Sequence, residues 1–294
     1  MQCLNVKLTY DCSNKCSYCF SANMTNIEID IQKLKNTIIQ AYKNNCRGLI
    51  ISGGEPTLDK ENLKEVIEFS YRVGYQKYIL QTNGYGFSED RELLDFFDIF
   101  SQKADVAVSF SVLDATSKEH DMVTKNNGSF EKLMKSIYNI SKTNCKIYTN
   151  TVISTLNYNK LKDIINLILP FNPEIMQFSI MHTENNNPLS LGLYKSIKAL
   201  DEIKGKIPKD ILRTEGIPYC LMKGYETCVG ESYWPSRLDL CNHNDDYKAD
   251  FSQLECGMRW KNSMCRECIF DDICHGVWYE QKNEFMNLNI LPIK

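Results

Sequence analysis

The chain is poor in histidine and has no long apolar run and no basic stripe. Four histidines occur in 294 residues, His120, His182, His243 and His275. None falls in an H-x3-H or H-E-x2-H pattern, so a histidine-based metal site is not expected. No run of 18 apolar residues is present, so neither a spanning helix nor a membrane partner is expected. The net charge is −3, and no basic stripe with interleaved aromatics occurs, which argues against a nucleic-acid partner. Residues 1–10 lack the basic-then-apolar pattern of a secretory signal, and a cytoplasmic location is expected. There are no internal repeats and no low-complexity tract.

Cysteine, in contrast, is abundant. Thirteen cysteines in a cytosolic chain argue against a disulfide framework and for metal or redox use. Three lie in Asp11-Cys12-Ser13-Asn14-Lys15-Cys16-Ser17-Tyr18-Cys19-Phe20, directly after an apolar, strand-like segment at 3–10. Three thiolates on one tight loop can hold three irons of a [4Fe–4S] cluster and leave the fourth open. Structural zinc takes four ligands, so this loop is a poor zinc site. A second motif, Leu49-Ile50-Ile51-Ser52-Gly53-Gly54-Glu55-Pro56-Thr57, runs an apolar strand into a turn. Glycines there let backbone approach a ligand closely, and a carboxylate and a rigid proline follow.

With 43% hydrophobic and 24% charged residues, the chain can form one large domain, or one plus a small appendage. Short apolar or β-branched runs predict strands at 3–10, 48–52, 77–82, 106–111, 146–153 and 175–181. Helix-like stretches at 31–44, 60–73, 90–100, 130–142 and 159–169 lie between them, with Asp30 and Ser129 as expected N-caps. Six such units predict an α/β fold, a parallel sheet with helices outside. Chemistry in such folds lies at the C-terminal strand ends, where both motifs fall. Other strand ends are polar: Gln81-Thr82-Asn83-Gly84, Ser109-Phe110-Ser111 and Thr149-Asn150-Thr151.

After residue 185 the character changes. A loop at 185–188 and a helix-like stretch at 191–204 precede seven cysteines, Cys220, Cys228, Cys241, Cys256, Cys265, Cys268 and Cys274. Cys265-x2-Cys268-x5-Cys274 has ligand spacing. A fourth thiolate is needed, and Cys220 is the choice, with Cys256 as its rival. A zinc site on the same thiolates stays open at this point. Cys3, Cys46 and Cys145 lie in strand-like or helix-end contexts and read as packing residues.

The C-x3-C-x-Φ-C run, with Tyr18 at the aromatic position, resembles the signature of the radical S-adenosylmethionine (radical SAM) superfamily. Gly53-Gly54-Glu55-Pro56 resembles that family's GGEP motif. The resemblance implies a partial (β/α)6, TIM-like barrel over residues 1–185. It implies a [4Fe–4S] cluster on Cys12, Cys16 and Cys19 whose open iron chelates SAM. SAM would be cleaved to methionine and a 5′-deoxyadenosyl radical, which takes a hydrogen atom from the substrate. Gly53, Gly54, Glu55 and Pro56 would bind SAM's amino group, with Tyr18 beside the cofactor. Asn83, Ser109, Ser111 and Asn150 would reach its ribose and carboxylate, and Phe178 or Ile180 would carry the adenine.

The C-terminal part, 186–294, resembles a linker helix followed by a small cysteine-rich twitch domain. The likeness rests on Ile217-Pro218-Tyr219-Cys220, the C-x2-C-x5-C run and His275-Gly276-Val277-Trp278. It departs from the longer SPASM pattern, because Trp278 stands at the next cysteine step and no cysteine follows Cys274. One auxiliary [4Fe–4S] cluster, on Cys220, Cys265, Cys268 and Cys274, is therefore expected. Cys228, Cys241 and Cys256 are candidate hydrogen-atom donors, as an active-site thiol is in some radical SAM peptide epimerases.

The resemblance implies modification of a ribosomally made peptide by crosslinking, thioether formation or epimerisation. An alternative is oxidation of a small molecule, as in twitch-bearing aminoglycoside alcohol dehydrogenases. A further alternative is a non-catalytic metal-binding protein. The first strand begins at residue 3, so no N-terminal peptide-recognition domain is expected. A leader would be bound by the barrel and twitch region or by a separate protein. A flavodoxin or ferredoxin would serve as reductant.

Overall fold

The alternation of apolar strands and amphipathic helices folds into a parallel sheet. In chain order the elements are β1 (Gln2–Thr9), α1 (Ile31–Lys43), β2 (Cys46–Gly53), α2 (Lys60–Val73), β3 (Lys77–Thr82), α3 (Arg91–Ser101), β4 (Asp105–Ser111), α4 (Ser117–Thr124), α5 (Ser129–Ile140), β5 (Lys146–Ile153), α6 (Leu161–Ile168) and β6 (Ile175–Ile180). The computed structural model describes residues 2–19, 21, 24, 27–182, 187–230, 237–239 and 258–294, with backbone only at 237–239. Strands β1 to β6 pair in sequence order, each parallel to the next. Among the described residues no helix is long and apolar enough to cross a membrane.

The sheet runs past the boundary expected at 185, which itself falls outside the described residues. After α7 (Leu193–Asp201), β7 (Leu212–Glu215) pairs parallel with β6. A short β8 (Arg237–Asp239) pairs parallel with β1 on the other edge. Four residues with a single apolar side chain give β7 no periodicity to read. The remaining elements are an antiparallel pair, β9 (Arg259–Trp260) and β10 (Val277–Trp278), and a final helix α8 (Lys282–Asn287).

Side chains alternate across the sheet. One face of each strand packs on the helices: Leu4, Val6, Leu49, Ile51, Val108, Phe110, Phe178 and Ile180 share a core with Ile38, Leu63 and Ile137. Each such buried aliphatic contributes about 1.5–3 kcal/mol, so this layer holds the helices in place. The other face carries a smaller apolar cluster of Cys3, Ile50, Ile79, Ala107, Tyr148 and Ile175. Toward the C-terminal strand ends the same face turns polar. Ile217, Tyr219, Val277, Trp278 and Phe285 join the helix-side core, so the described part of the C-terminal segment shares the sheet's core.

Helix starts follow sequence only in part. Asp30 caps α1 as expected, accepting from Lys33 N–H at 3.0 Å. Ser129 does not cap α5; it is the first helical residue, and Gly128 precedes it at φ 83°. The capping carboxylate comes from Asp121 of α4. It accepts from Gly128 N–H at 2.6 Å, Phe130 N–H at 2.9 Å and Ser129 Oγ at 2.8 Å. Burial alone would raise the Asp121 carboxyl, but these bonds outweigh it and hold it below the usual range.

His120, next in sequence, is buried edge-on to Phe130, and its Nδ1 accepts from Leu113 N–H at 3.4 Å. Burial lowers its pKa to about 4. Between that value and about 6.5, the unfolded chain binds the extra proton, so stability is lost as pH falls through this window. The loss should total about 3 kcal/mol. Urea midpoints should therefore drop from pH 7 to pH 4.5, and His120→Gln should flatten that slope. An unchanged slope in the variant would rule out His120 as its source.

Candidate metal and cofactor site at the strand ends

The three-cysteine loop leaves the C-terminal end of β1 and is gripped by four distant segments. Gly54 N–H donates to Thr9 O and Glu55 N–H to Asp11 O, both at 2.7 Å. Lys15 N–H donates to Thr124 O at 2.8 Å, and Ser17 N–H to Val123 O at 3.0 Å. Asn126 Nδ2 reaches Ser13 O at 3.1 Å and Asn14 Oδ1 at 2.8 Å. Asn187 Nδ2 donates to Ser17 O at 3.0 Å. Cys12 and Cys19 are exposed and Cys16 is half-buried. Burial pushes the Cys16 thiol up to about 12, and the Cys19 and Cys12 sulfurs beside it act in the same direction. The Cys12 sulfur accepts from Asn14 N–H at 3.4 Å and Asn83 Nδ2 at 3.5 Å. The Tyr18 hydroxyl is buried without a partner, and burial, then Cys16 and Cys19, raise its pKa well above the phenol range.

The Gly-Gly-Glu-Pro turn works differently from the sequence expectation. A Cβ on Gly53, at φ +150°, would sit 2.1 Å from Thr9 O, and one on Gly54 2.1 Å from Asp11 O. The two glycines admit the cysteine loop's own backbone. Glu55 is fully buried. Its Oε1 accepts from Thr57 N–H at 3.0 Å, Thr57 Oγ1 at 2.7 Å and Thr82 Oγ1 at 2.7 Å. Its Oε2 accepts from Asn83 N–H at 2.7 Å. Burial raises the carboxyl's pKa against the pull of these bonds. Oε1 is thus filled from within the protein, while Oε2 holds one donor, and Glu55 braces the turn against the end of β3. Pro56 is buried and opens the 3-10 turn Pro56–Asp59.

The polar strand-end candidates divide by face. Ser109, Ser111 and Asn150 lie on the inner face of β4 and β5 and are half-buried. Asn83 turns toward the cysteine loop, its Nδ2 also reaching Ser13 Oγ at 3.0 Å. Phe178 and Ile180 are corrected. Both belong to the helix-side core, and Phe178 is fully buried, so neither ring nor chain has an open face for a ligand. Their neighbours Gln177 and Ser179 point inward instead, with Glu215 beside them on β7. These three were not singled out from sequence, although the polar–apolar alternation in Gln177-Phe178-Ser179-Ile180 carried the signal.

In the C-terminal segment Cys220, Cys265, Cys268 and Cys274 line one solvent-open cavity. Burial pushes the Cys220 thiol up to about 12, reinforced by Cys274, Cys265 and Cys268 in that order. Among the described residues no group of three His, Cys, Asp or Glu side chains could hold a single metal ion. Tyr219 stacks on Phe270 at 4.4 Å beside this cavity. Trp278 lies between His182, stacked at 4.5 Å, and the Arg259 guanidinium, 3.5 Å from the ring centre. His182 Nδ1 and Glu280 Oε1 are 2.9 Å apart. Cys228 is corrected as a hydrogen-atom donor: it is fully buried, with its sulfur on Lys209 O at 3.5 Å. Cys241 and Cys256 lie outside the described residues.

The Glu55 geometry predicts more than a binding defect. Glu55→Ala should leave two backbone N–H groups and two hydroxyls without their acceptor, at about 1–3 kcal/mol for each that stays buried and unpaired. Thermal stability should fall, and iron bound by Cys12, Cys16 and Cys19 should fall with it. A variant of unchanged melting temperature and iron content, weakened only in SAM affinity, would leave Glu55 the direct-contact role alone.

The fold has counterparts. The model of the radical SAM superfamily matches residues 6–168, more than half of the chain. A protein named S-adenosylmethionine-dependent nucleotide dehydratase, from Fibrobacter sp. (strain UWH6), is 27% identical over 172 residues. That match covers 54% of this chain and 49% of the relative, so the chain spans about half of that protein's length. The crystal structure of Streptococcus suis SuiB bound to S-adenosylmethionine superposes with a TM-score of 0.69 at 15% identity, covering 96% of this chain and 74% of that one. The structure of anSMEcpe with bound AdoMet and the Kp18Cys peptide gives 0.57 at 17% identity, covering 69% and 60%. An α/β fold whose parallel strands run in sequence order, with a C-x3-C-x2-C loop at the end of the first, accords with that match: the chain belongs to the radical SAM superfamily and is an enzyme of that family.

Proposed function

We propose that this radical SAM enzyme holds its reactive cluster on Cys12, Cys16 and Cys19 and modifies a peptide. Family membership implies a [4Fe–4S] cluster and SAM, and removes the non-catalytic reading. The observation that carries the assignment is the convergence of three thiols on one braced loop at the strand ends. When bound, the cluster and SAM supply a carbon radical that removes a hydrogen atom from the substrate.

The residues fit such a group. N–H donors from Asn14 and Asn83 aim at the Cys12 sulfur and stabilise it as an anion. Cys12 and Cys19 are exposed, while hydrogen bonds with the turn after β2, with α4 and with Asn126 hold the loop's backbone. Ser109, Ser111 and Asn150 offer hydroxyl and amide groups on the inner face for the polar parts of SAM.

A second [4Fe–4S] cluster on Cys220, Cys265, Cys268 and Cys274 is the reading we favour for the C-terminal cavity, with residues 186–294 taken as a linker helix and twitch-like extension. A zinc ion at about 2.3 Å from four sulfurs would draw them to within about 4 Å of one another. The four cysteines ring one cavity, and the chain's first cysteine loop already depends on cluster assembly. Four thiolates leave no open iron, so this cluster would carry electrons or support structure.

The peptide reading is supported by the fold's likeness to SuiB, which has a structure bound to the precursor peptide SuiA, and to anSMEcpe with its peptide. A small-molecule substrate is favoured by one observation, the sequence match to a nucleotide dehydratase.

Anaerobic reconstitution separates these statements. Wild type should hold about eight irons, and the triple Cys12, Cys16, Cys19→Ala protein about four. Reductive SAM cleavage should stop in the triple variant and persist when Cys220, Cys265, Cys268 and Cys274 are replaced. Continued cleavage by the triple variant would end the assignment. A Cys220→Ala protein with eight irons, beside a Cys256→Ala protein with four, would move the fourth ligand to Cys256. A mass change in a peptide encoded beside the gene supports the peptide reading, and a change confined to nucleotides replaces it.

A further inference from the structure

Three adjacent strands build a polar cluster of which the chemistry above uses only Asn150. Asn150 on β5, Gln177 and Ser179 on β6, and Glu215 on β7 all face the sheet's inner side. Gln177 stands opposite Asn150, and Ser179 opposite Glu215. Glu215 Oε2 lies 2.8 Å from Ser179 Oγ and 3.0 Å from Gln177 Nε2. Ser179 Oγ is also 2.7 Å from Asn150 Oδ1. The serine has one hydroxyl proton, so Asn150 and Glu215 compete for it. The carboxylate is aimed by its neighbours but short of donors. Among the described residues no cation pairs with Glu215, and its second oxygen has no partner.

Position adds to this. Glu215 is the last residue of β7, so in an all-parallel sheet it lies at the same end as the cysteine loop. Gly216 follows at φ +80°, and a Cβ there would stand 2.7 Å from Trp278 Nε1, which pins the backbone just beyond the carboxylate. Cys220 comes five residues after Glu215. A neutral donor would leave the charge uncompensated, whereas an ammonium brings both donors and charge.

We propose that Glu215 is a substrate-binding residue and that it takes a protonated amine of the substrate. The choice of probe rests on the peptide reading. The test is calorimetric binding to the reconstituted, SAM-loaded full chain, using lysine-centred hexapeptides, their norleucine counterparts and free cadaverine. The lysine peptides should bind wild type at least about tenfold more tightly than the norleucine peptides, and Glu215→Gln should remove the difference. Iron content and SAM affinity should be the same in both proteins. If cadaverine alone shows the Glu215-dependent binding, the amine assignment stands and the peptide reading fails. If no amine binds in a Glu215-dependent way, the assignment fails and the peptide reading is untouched. Weakened SAM binding in Glu215→Gln would give the carboxylate to SAM and overturn the proposal.

Discussion

One buried carboxylate governs where the reactive loop can sit. Glu55 accepts from Thr57, Thr82 and the Asn83 backbone, and these groups pass the order on. Thr82 Oγ1 in turn accepts from Gly84 N–H, and Thr57 Oγ1 from Gly86 N–H, each at 3.0 Å. Asn83, fixed through its own N–H, lays its side chain on Ser13 and Cys12. The chain of contacts runs from the end of β2, through the end of β3, to a cysteine sulfur. In a dry interior such a network is strong when complete and costly when broken, so the turn and the loop hold or fail together. Gly53 and Gly54 serve the same end by letting the backbone at Thr9 and Asp11 come close.

The sheet's two faces have separate tasks. Parallel sheets covered on both sides usually read as continuous hydrophobic runs. Here the helix side follows that rule, while the inner side is apolar only at its base and polar above it. Asn5 accepts from Ser52, and Asn150 lies against Ser179, so these polar groups are paired rather than stranded. Packing energy is drawn from one face, which leaves the other free to hold polar ligands.

The C-terminal segment relies on contacts of another kind. Among the described residues its strands have two residues each and its final helix six, and their apolar side chains join the sheet's core. Trp278 anchors it, packed between His182 from beyond β6 and Arg259 from β9. A cluster bound in the cysteine-lined cavity would couple metal binding to folding of the segment.

Local patterns revealed the three-cysteine loop, the Gly-Gly-Glu-Pro turn, six strands in order and three of the cysteines that ring the C-terminal cavity, whereas Cys220 was only one of two choices for the fourth. The role of Glu55 was not legible: its acceptor geometry depends on Thr82 and Asn83, which lie 27 and 28 residues away. Nor was the α5 cap, which Asp121 provides in place of Ser129. Phe178 and Cys228 looked available as letters and proved buried, because strand phase and the packing of remote segments decide which way a side chain faces. Glu215 stayed hidden in a strand too short for periodicity, and only its register against Ser179 brought it into the site. Local chemistry was written in the sequence, whereas exposure and partnership arise from contacts between distant residues and were decided by the tertiary fold.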